Sequence, residues 1–167
     1  MLLYLVRHAI AGDPDPERWP DDSQRPLTER GRKRFQRAAR GLRQLAAPVD
    51  LVLSSPFTRA RQTAEILAEE AKWPEATVQE QVLVDAPTLL DALRQYPGVT
   101  SIAAVGHEPT MHEVASLLLT GDPDRATLQF KKGTVACFQV EHDVQPGTAH
   151  LLWLASPKLL RQLASHH

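Results

Sequence analysis

Two arginines and two histidines stand at places in this chain where their chemistry can be pooled: Arg7-His8, Arg59 and His107. Guanidinium groups grip a phosphoryl group through paired hydrogen bonds, which a lysine point charge does less well. A neutral imidazole attacks phosphorus when it is held in line with the leaving oxygen or nitrogen. Neighbouring arginines depress its pKa by like-charge repulsion and keep the nucleophile unprotonated near neutral pH. A second imidazole, once protonated, binds the equatorial oxygens on which charge redistributes in the transition state. Such a set neutralises phosphate with side-chain cations, so neither metal nor cofactor is expected.

For these residues to meet, the elements that carry them must deliver them to one edge of the fold. Leu2 to Val6 is a continuous apolar run and reads as a strand buried on both faces. Gly12 to Pro26, crowded with Pro and Asp, is a loop of the length that often borders function. Thr28 is the expected N-cap of a helix running to about Leu45, with Phe35, Ala38, Ala39, Leu42 and Leu45 as its buried stripe. Asp50 to Leu53 is a second strand. Ser54-Ser55-Pro56 reads as a serine cap with proline at the first helical position, before a helix from about Phe57 to Lys72. Thr77 to Val84 is the expected third strand, Pro87 to Gln95 a helix, and Ser101 to Val105 a fourth strand ended by Gly106-His107. A helix from Pro109 to Leu119 follows. Thr134 to Glu141 and Ala149 to Leu154 form a hairpin through Gln145-Pro146-Gly147, and a terminal helix starts at Pro157.

Strands alternating with helices predict a three-layer α/β/α fold, a mostly parallel central sheet with an antiparallel edge strand. Arg7-His8, Arg59 and His107 then all lie at or just beyond strand carboxyl ends, where open α/β sheets collect their ligands. The helix that opens after Ser55 adds free N–H groups and a positive dipole end.

The 167 residues suffice for one domain with a core, and residues 1–167 read as a single unit. A formal net charge of −1 gives no global attraction to nucleic acid or to a membrane surface. No stretch approaches the roughly 20 apolar residues of a membrane span. A lone cysteine, Cys137, fits a reducing compartment, so a cytoplasmic location is expected. His166-His167 could be native or the stub of a purification tag and carry no part of the reading.

Four segments together resemble the histidine phosphatase superfamily, whose fold is phosphoglycerate mutase-like. They are Leu5-Val6-Arg7-His8-Ala9, Arg25-Pro26-Leu27-Thr28-Glu29-Arg30-Gly31, the stretch from Ser54 to Ala64 containing Ser-Pro-Phe-Thr-Arg-Ala-Arg-Gln-Thr-Ala, and Val105-Gly106-His107-Glu108-Pro109. The resemblance implies that His8 is phosphorylated during turnover and that Arg7, Arg59 and His107 form the phosphate pocket. The small size and the Arg-Pro-Leu-Thr segment are similar to the SixA-like phosphohistidine phosphatases. Only about 30 residues separate Leu53 from the end of the expected third strand, which leaves no room for a cap domain. The pocket should be open, as suits a phosphorylated side chain on a partner protein, such as a histidine phosphotransfer domain. A small phosphate ester or anhydride is the alternative substrate, and a non-catalytic phosphate-binding module the alternative of another class. Mutase-like relatives place a glutamate as proton donor in the third-strand region. This chain offers Asp85 there and Glu108 beside His107 as its candidate donors.

Other residues keep two readings each. Arg25 either pairs locally in its loop or reaches the substrate. The run Arg30, Arg32, Lys33, Arg34, Arg37, Arg40, Arg43 is a solvated helix face or a docking face for an acidic partner. Lys131-Lys132-Gly133 is a turn or part of the pocket rim. His107 and His112 are five apart with a proline between, which breaks the four-residue spacing of a zinc helix. His112, His142 and His150 read as packing or surface residues, Arg61 as solvated, and Cys137 as a core residue of its strand.

Overall fold

The computed structural model describes residues 1–141 and 143–165, so His142, His166 and His167 lie outside the described residues. The strands are β1 (Leu2–Arg7), β2 (Leu51–Ser54), β3 (Thr77–Val78), β4 (Ser101–Gly106), β5 (Val135–Gln139) and β6 (His150–Ala155). The helices are α1 (Glu29–Leu45), α2 (Thr58–Glu70), α3 (Ala86–Leu93), α4 (Thr110–Thr120) and α5 (Pro157–Leu163). The strands form one sheet in the order β3-β2-β4-β1-β5-β6. β1, β4, β2 and β3 pair in parallel, whereas β5 pairs antiparallel with both β1 and β6. None of the described helices is long and apolar enough to cross a membrane.

Alternate residues of the strands point to opposite faces, and each face has its own core. Tyr4, Val6, Val52, Ala103, Val105 and Cys137 pack under α1, α2 and α5. Leu3, Leu5, Leu53, Ile102, Ala104 and Phe138 pack under α3 and α4. The connection through α1 leaves β1 in one direction, to β2, while that through α3 returns from β3 to β4 beside β1. The strand order therefore reverses between β1 and β4, where Arg7 registers opposite Gly106. That is the switch point at which α/β sheets bind ligands.

Local rules explain most of the elements. Thr28 caps α1, its Oγ1 accepting from Gly31 N at 2.9 Å. Ser156 caps α5 ahead of Pro157 in the same way, from Leu159 N at 3.3 Å. Three expectations are corrected. Thr77–Val84 is strand only over Thr77–Val78, and Glu80–Leu83 is a 3-10 turn. At this edge the chain must swing beneath the sheet to start α3, and the turn drives Val82 fully into the core. Leu45 ends α1 beyond the sheet and is 40% exposed. Ser55 does not cap α2, whose N-cap is Phe57 with no side-chain bond.

Two glycines set how closely α1 can approach its neighbours. A Cβ on Gly31 would lie 2.1 Å from the Ile10 carbonyl oxygen, and one on Gly41 1.7 Å from that of Leu160. Backbone cannot yield as a side-chain tip can, so Gly41→Ala must push α5 off α1. We expect it to cost about 1–3 kcal/mol, seen as a fall of several degrees in Tm. Gly98→Ala, whose Cβ meets nothing within 4 Å, should change stability by less than about 0.5 kcal/mol. Equal melting of the two variants would contradict the close-packing account.

Candidate active site

β1 and β4 lie side by side in parallel, so their carboxyl ends place His8 and His107 with ring centroids 5.1 Å apart. His8 is 6% exposed, and its Nδ1 lies 2.7 Å from the carbonyl of Ala9. Because a carbonyl only accepts, Nδ1 carries the ring proton and Nε2 is left with its lone pair free. Burial above all, and then the positive surroundings of His107, Arg59 and Arg7, pull His8 down to about 3 against the Ala9 bond. The nucleophile candidate is thus neutral and in one tautomer.

The backbone around it is held from four sides. His8 N donates to Gly106 O at 2.9 Å, and Ala9 N to Thr63 Oγ1 on α2 at 3.0 Å. Gly133 N donates to the carbonyls of both Arg7 and His8, at 3.1 and 3.0 Å. Thr28 N donates to Ile10 O at 3.1 Å. The Lys131-Lys132-Gly133 segment is therefore a turn, and its glycine, at φ +87°, backs the Arg7-His8 pair.

Arg7 is anchored by Nη1 on the Phe130 carbonyl at 2.7 Å. Arg59, in the first turn of α2, is 7% exposed and stacks over Phe57 at 4.9 Å. Its Nη1 donates to Asp22 O at 3.0 Å, and its Nη2 lies 3.3 Å from Asp22 Oδ2. Arg25 Nε meets the same carboxylate at 2.8 Å, and its Nη1 holds the Gly12 carbonyl. Arg25 pairs locally in its loop, and its charge is among those that lower His107.

His107 Nε2 is 2.7 Å from Ser55 Oγ, which also accepts from Phe57 N at 3.2 Å. Burial, then Arg59, Arg7 and Arg25, bring His107 down to about 4, with Asp22 opposing. Among the described residues, five buried side-chain polar atoms lack a partner, and three of them belong to this site: Arg7 Nε, Arg59 Nε and His107 Nδ1. Buried polar atoms without partners are costly, whether they are the arginine Nε–H donors or the bare imidazole nitrogen. An oxyanion seated among them would satisfy them and return charge to the His107 ring.

The two candidate proton donors differ in their engagements. Asp85 is exposed and caps α3, accepting from Thr88 N at 2.8 Å, a bond that holds its carboxyl below the ordinary value. Glu108 shares a cleft of about 470 Å³ with Arg7 and Phe130, where its Oε2 meets His112 Nδ1 at 2.6 Å. His112 is thus neither core nor bare surface; it orients Glu108. Sequence reasoning missed Asp22, Ser55 and Thr63 as parts of the site. Thr63 and Ser55 sit inside the Ser54–Ala64 stretch and could have been suspected, whereas nothing distinguishes Asp22 from the other acids of its loop.

Comparison with known proteins shows the family and the fold. Residues 3–83 match the model of the histidine phosphatase superfamily, branch 1. An uncharacterized protein of Picosynechococcus is 32% identical over 165 residues, covering 96% of this chain and 99% of that protein. The chain belongs to the histidine phosphatase superfamily. Among solved structures, the protein histidine phosphatase SixA, complexed with tungstate, superposes with a TM-score of 0.81 at 25% identity. That alignment covers 95% of this chain and 98% of SixA. The alpha-ribazole phosphatase of Shigella flexneri shares the fold at a TM-score of 0.69 and 19% identity, over 94% and 97% of the two chains.

The depressed histidines make a histidine phosphatase of this kind acid-sensitive. Unfolded, each imidazole takes up a proton near 6.5; folded, they refuse it until about 3 and 4. Their contribution is complete above pH 6.5 and is lost as pH falls toward the folded values. The slope is at most about 1.4 kcal/mol per pH unit for each ring. Urea unfolding between about pH 7 and pH 5 should show a steeper loss for the wild type than for a His8→Asn, His107→Asn double variant. Parallel losses would mean that the native rings take up protons at the same pH as the unfolded ones, so that their pKa values are not depressed.

Proposed function

We propose that the protein is a metal-independent phosphatase that acts through a phosphohistidine intermediate on His8, with phosphohistidine on a partner protein as its substrate. The observation that carries the first half is the set of three unpartnered buried nitrogens, two guanidinium donors and His107 Nδ1, around a neutral, tautomer-locked imidazole. In this reading Arg7, Arg59 and His107 hold the equatorial oxygens. Nε2 of His8 attacks phosphorus, the P–N or P–O bond to the leaving group breaks, and its electron pair departs with that group. Water then attacks the phosphorus of phospho-His8, the P–Nε2 bond breaks, and the imidazole is regenerated. The bond to Ala9 stabilises positive charge on the ring while Nε2 carries phosphorus.

What supports a protein-borne substrate is the absence of a covering insertion. The chain between β2 and β3 holds α2 alone, so we read residues 1–167 as one uncapped domain. Phosphohistidine also has a leaving nitrogen that protonates readily, which suits a site whose candidate acids are a helix cap, Asp85, and a paired Glu108. A cytoplasmic setting is supported by the single cysteine, Cys137, buried and unbridged.

Quenched turnover should trap acid-labile phosphate on His8, and His8→Ala should abolish both the label and hydrolysis. Arg59→Ala should lower kcat/KM by about 10²–10³-fold. The absence of any label or hydrolysis would leave a phosphate-binding module. On a panel at equal concentration, a phosphohistidine protein should be turned over faster than alkyl esters. A small metabolite turned over far faster than any phosphoprotein would replace the substrate assignment.

Glu108→Gln should slow an alkyl phosphate more than an aryl phosphate or phosphohistidine, since the alkoxide needs an acid in the site, whereas an aryl oxide leaves as the anion and the phosphohistidine nitrogen takes its proton readily from water. Asp85→Asn, by its capping role, should act mainly on stability, by about 1 kcal/mol or less. Equal loss of rate on all three substrates with Glu108→Gln would remove Glu108 from proton donation.

A further inference from the structure

A second cleft, separate from the one that Arg7 lines, is basic and includes Ala9, the residue after His8. Arg34 of α1, Lys131 and Lys132 of the turn that backs Arg7-His8, and Lys158 and Arg161 of α5 line one open cleft of about 270 Å³. Its lining includes the apolar Ile10, Phe35 and Pro157, and among the described residues no carboxylate lines it. None of the five cations is paired with an acid among the described residues, although the chain as a whole carries a formal charge of −1. Charge of one sign has been gathered here from three separate segments.

The helical run from Arg30 to Arg43 divides accordingly. Lys33 pairs with Glu29 at 2.7 Å, and Arg40 makes a two-pronged contact with Glu70 at 2.7 and 3.0 Å. Arg34 instead faces Arg161, which burial, with Arg34 and Arg37 beside it, holds below its ordinary pKa. Like charges kept together without a counter-ion oppose folding, and they are favourable only when an anion joins them. The wall of this cleft begins at Ala9, one residue, or about 3.8 Å along the chain, from His8. A ligand lying there would be continuous with whatever presents its phosphoryl group to Nε2.

We infer that this cleft docks an acidic segment of a protein partner, Asp and Glu side chains meeting the five cations while the partner's apolar contacts rest on Ile10, Phe35 and Pro157. The inference deepens the reading of a protein-borne substrate and rests on it for the identity of that partner. A phosphoprotein held there gains its affinity from the segment, and a small phosphate ester does not.

The test uses the full-length protein, a fluorescein-labelled dodecaglutamate peptide, a phosphohistidine protein with an acidic surface, and p-nitrophenyl phosphate. The variant is Arg34→Glu with Lys158→Glu, which also relieves the repulsion on Arg161 and so leaves the fold intact. The peptide should bind the wild type, more weakly as salt is raised, and bind the variant at least about tenfold less well. The phosphoprotein should lose about tenfold in kcat/KM through KM, with p-nitrophenyl phosphate hydrolysis unchanged. Equal peptide binding by both proteins overturns the inference, as does preference for an RNA oligonucleotide or phosphatidylglycerol vesicles over the peptide. Peptide binding by the wild type alone, with no turnover of any phosphoprotein, sustains the docking cleft and removes the proposed substrate instead.

Discussion

The bond from His8 Nδ1 to the Ala9 carbonyl is the contact on which the rest of this structure depends. It decides which ring nitrogen holds the proton, and so whether Nε2 has a lone pair to offer. A carbonyl belonging to the next residue can do this only if the backbone of residues 7–10 is rigid. Much of the fold converges on that requirement. β4 takes the amide of His8, α2 takes that of Ala9 through Thr63, and the Gly133 turn takes the carbonyls of Arg7 and His8. α1 closes the set, its Gly31 stripped of a Cβ so that the helix can lie against Ile10. Four elements far apart in sequence thus hold four consecutive residues.

The electrostatics follow from the same crowding. Burying two imidazoles beside three guanidinium groups makes protonation expensive, and both rings fall well below their ordinary value. For His8 as the proposed nucleophile this is an advantage, since a protonated Nε2 cannot attack. For His107 it is a reserve: with Nε2 engaged by Ser55, Nδ1 is the nitrogen left to be protonated when negative charge arrives. Among the described residues, Asp22 alone of the carboxylates touches Arg25 and Arg59, and it is half exposed. It aligns the two arginines without neutralising the pocket, which keeps an excess of positive charge for an anion.

How much of this could be read from the chain depends on whether the relevant physics is local. Strand ends, the caps at Thr28 and Ser156, and the alternation of strands and helices follow from neighbouring residues, and they suffice to bring Arg7, His8, Arg59 and His107 to one edge. The third strand was not legible in the same way. Its last residues have strand-like composition, yet Val82 is claimed by a core that the segment alone does not reveal. Ser55 shows the converse: Ser-Ser-Pro is a fair cap by local rules, but a histidine from β4 takes the hydroxyl. Asp22 is the least legible of all, because its role exists only where the loop folds back over α2.

The two clefts flanking the nucleophile divide the work of recognition by charge. On the Arg7 side, Glu108 and Asp124 line the hollow together with His112, so that wall can exchange protons and favours a leaving group able to accept one. On the Ala9 side the lining is cationic and, among the described residues, carries no carboxylate, so that wall is suited to hold negative charge. A small ester would use neither wall fully, for the phosphate pocket itself satisfies its charge. In the proposed reading, a phosphorylated side chain on a larger surface would meet both at once, its leaving nitrogen toward the mixed cleft and its acidic neighbours across the basic one. That asymmetry is a physical reason for an uncapped site. A cap over the phosphate pocket would shield the two flanking surfaces that distinguish one phosphorylated protein from another.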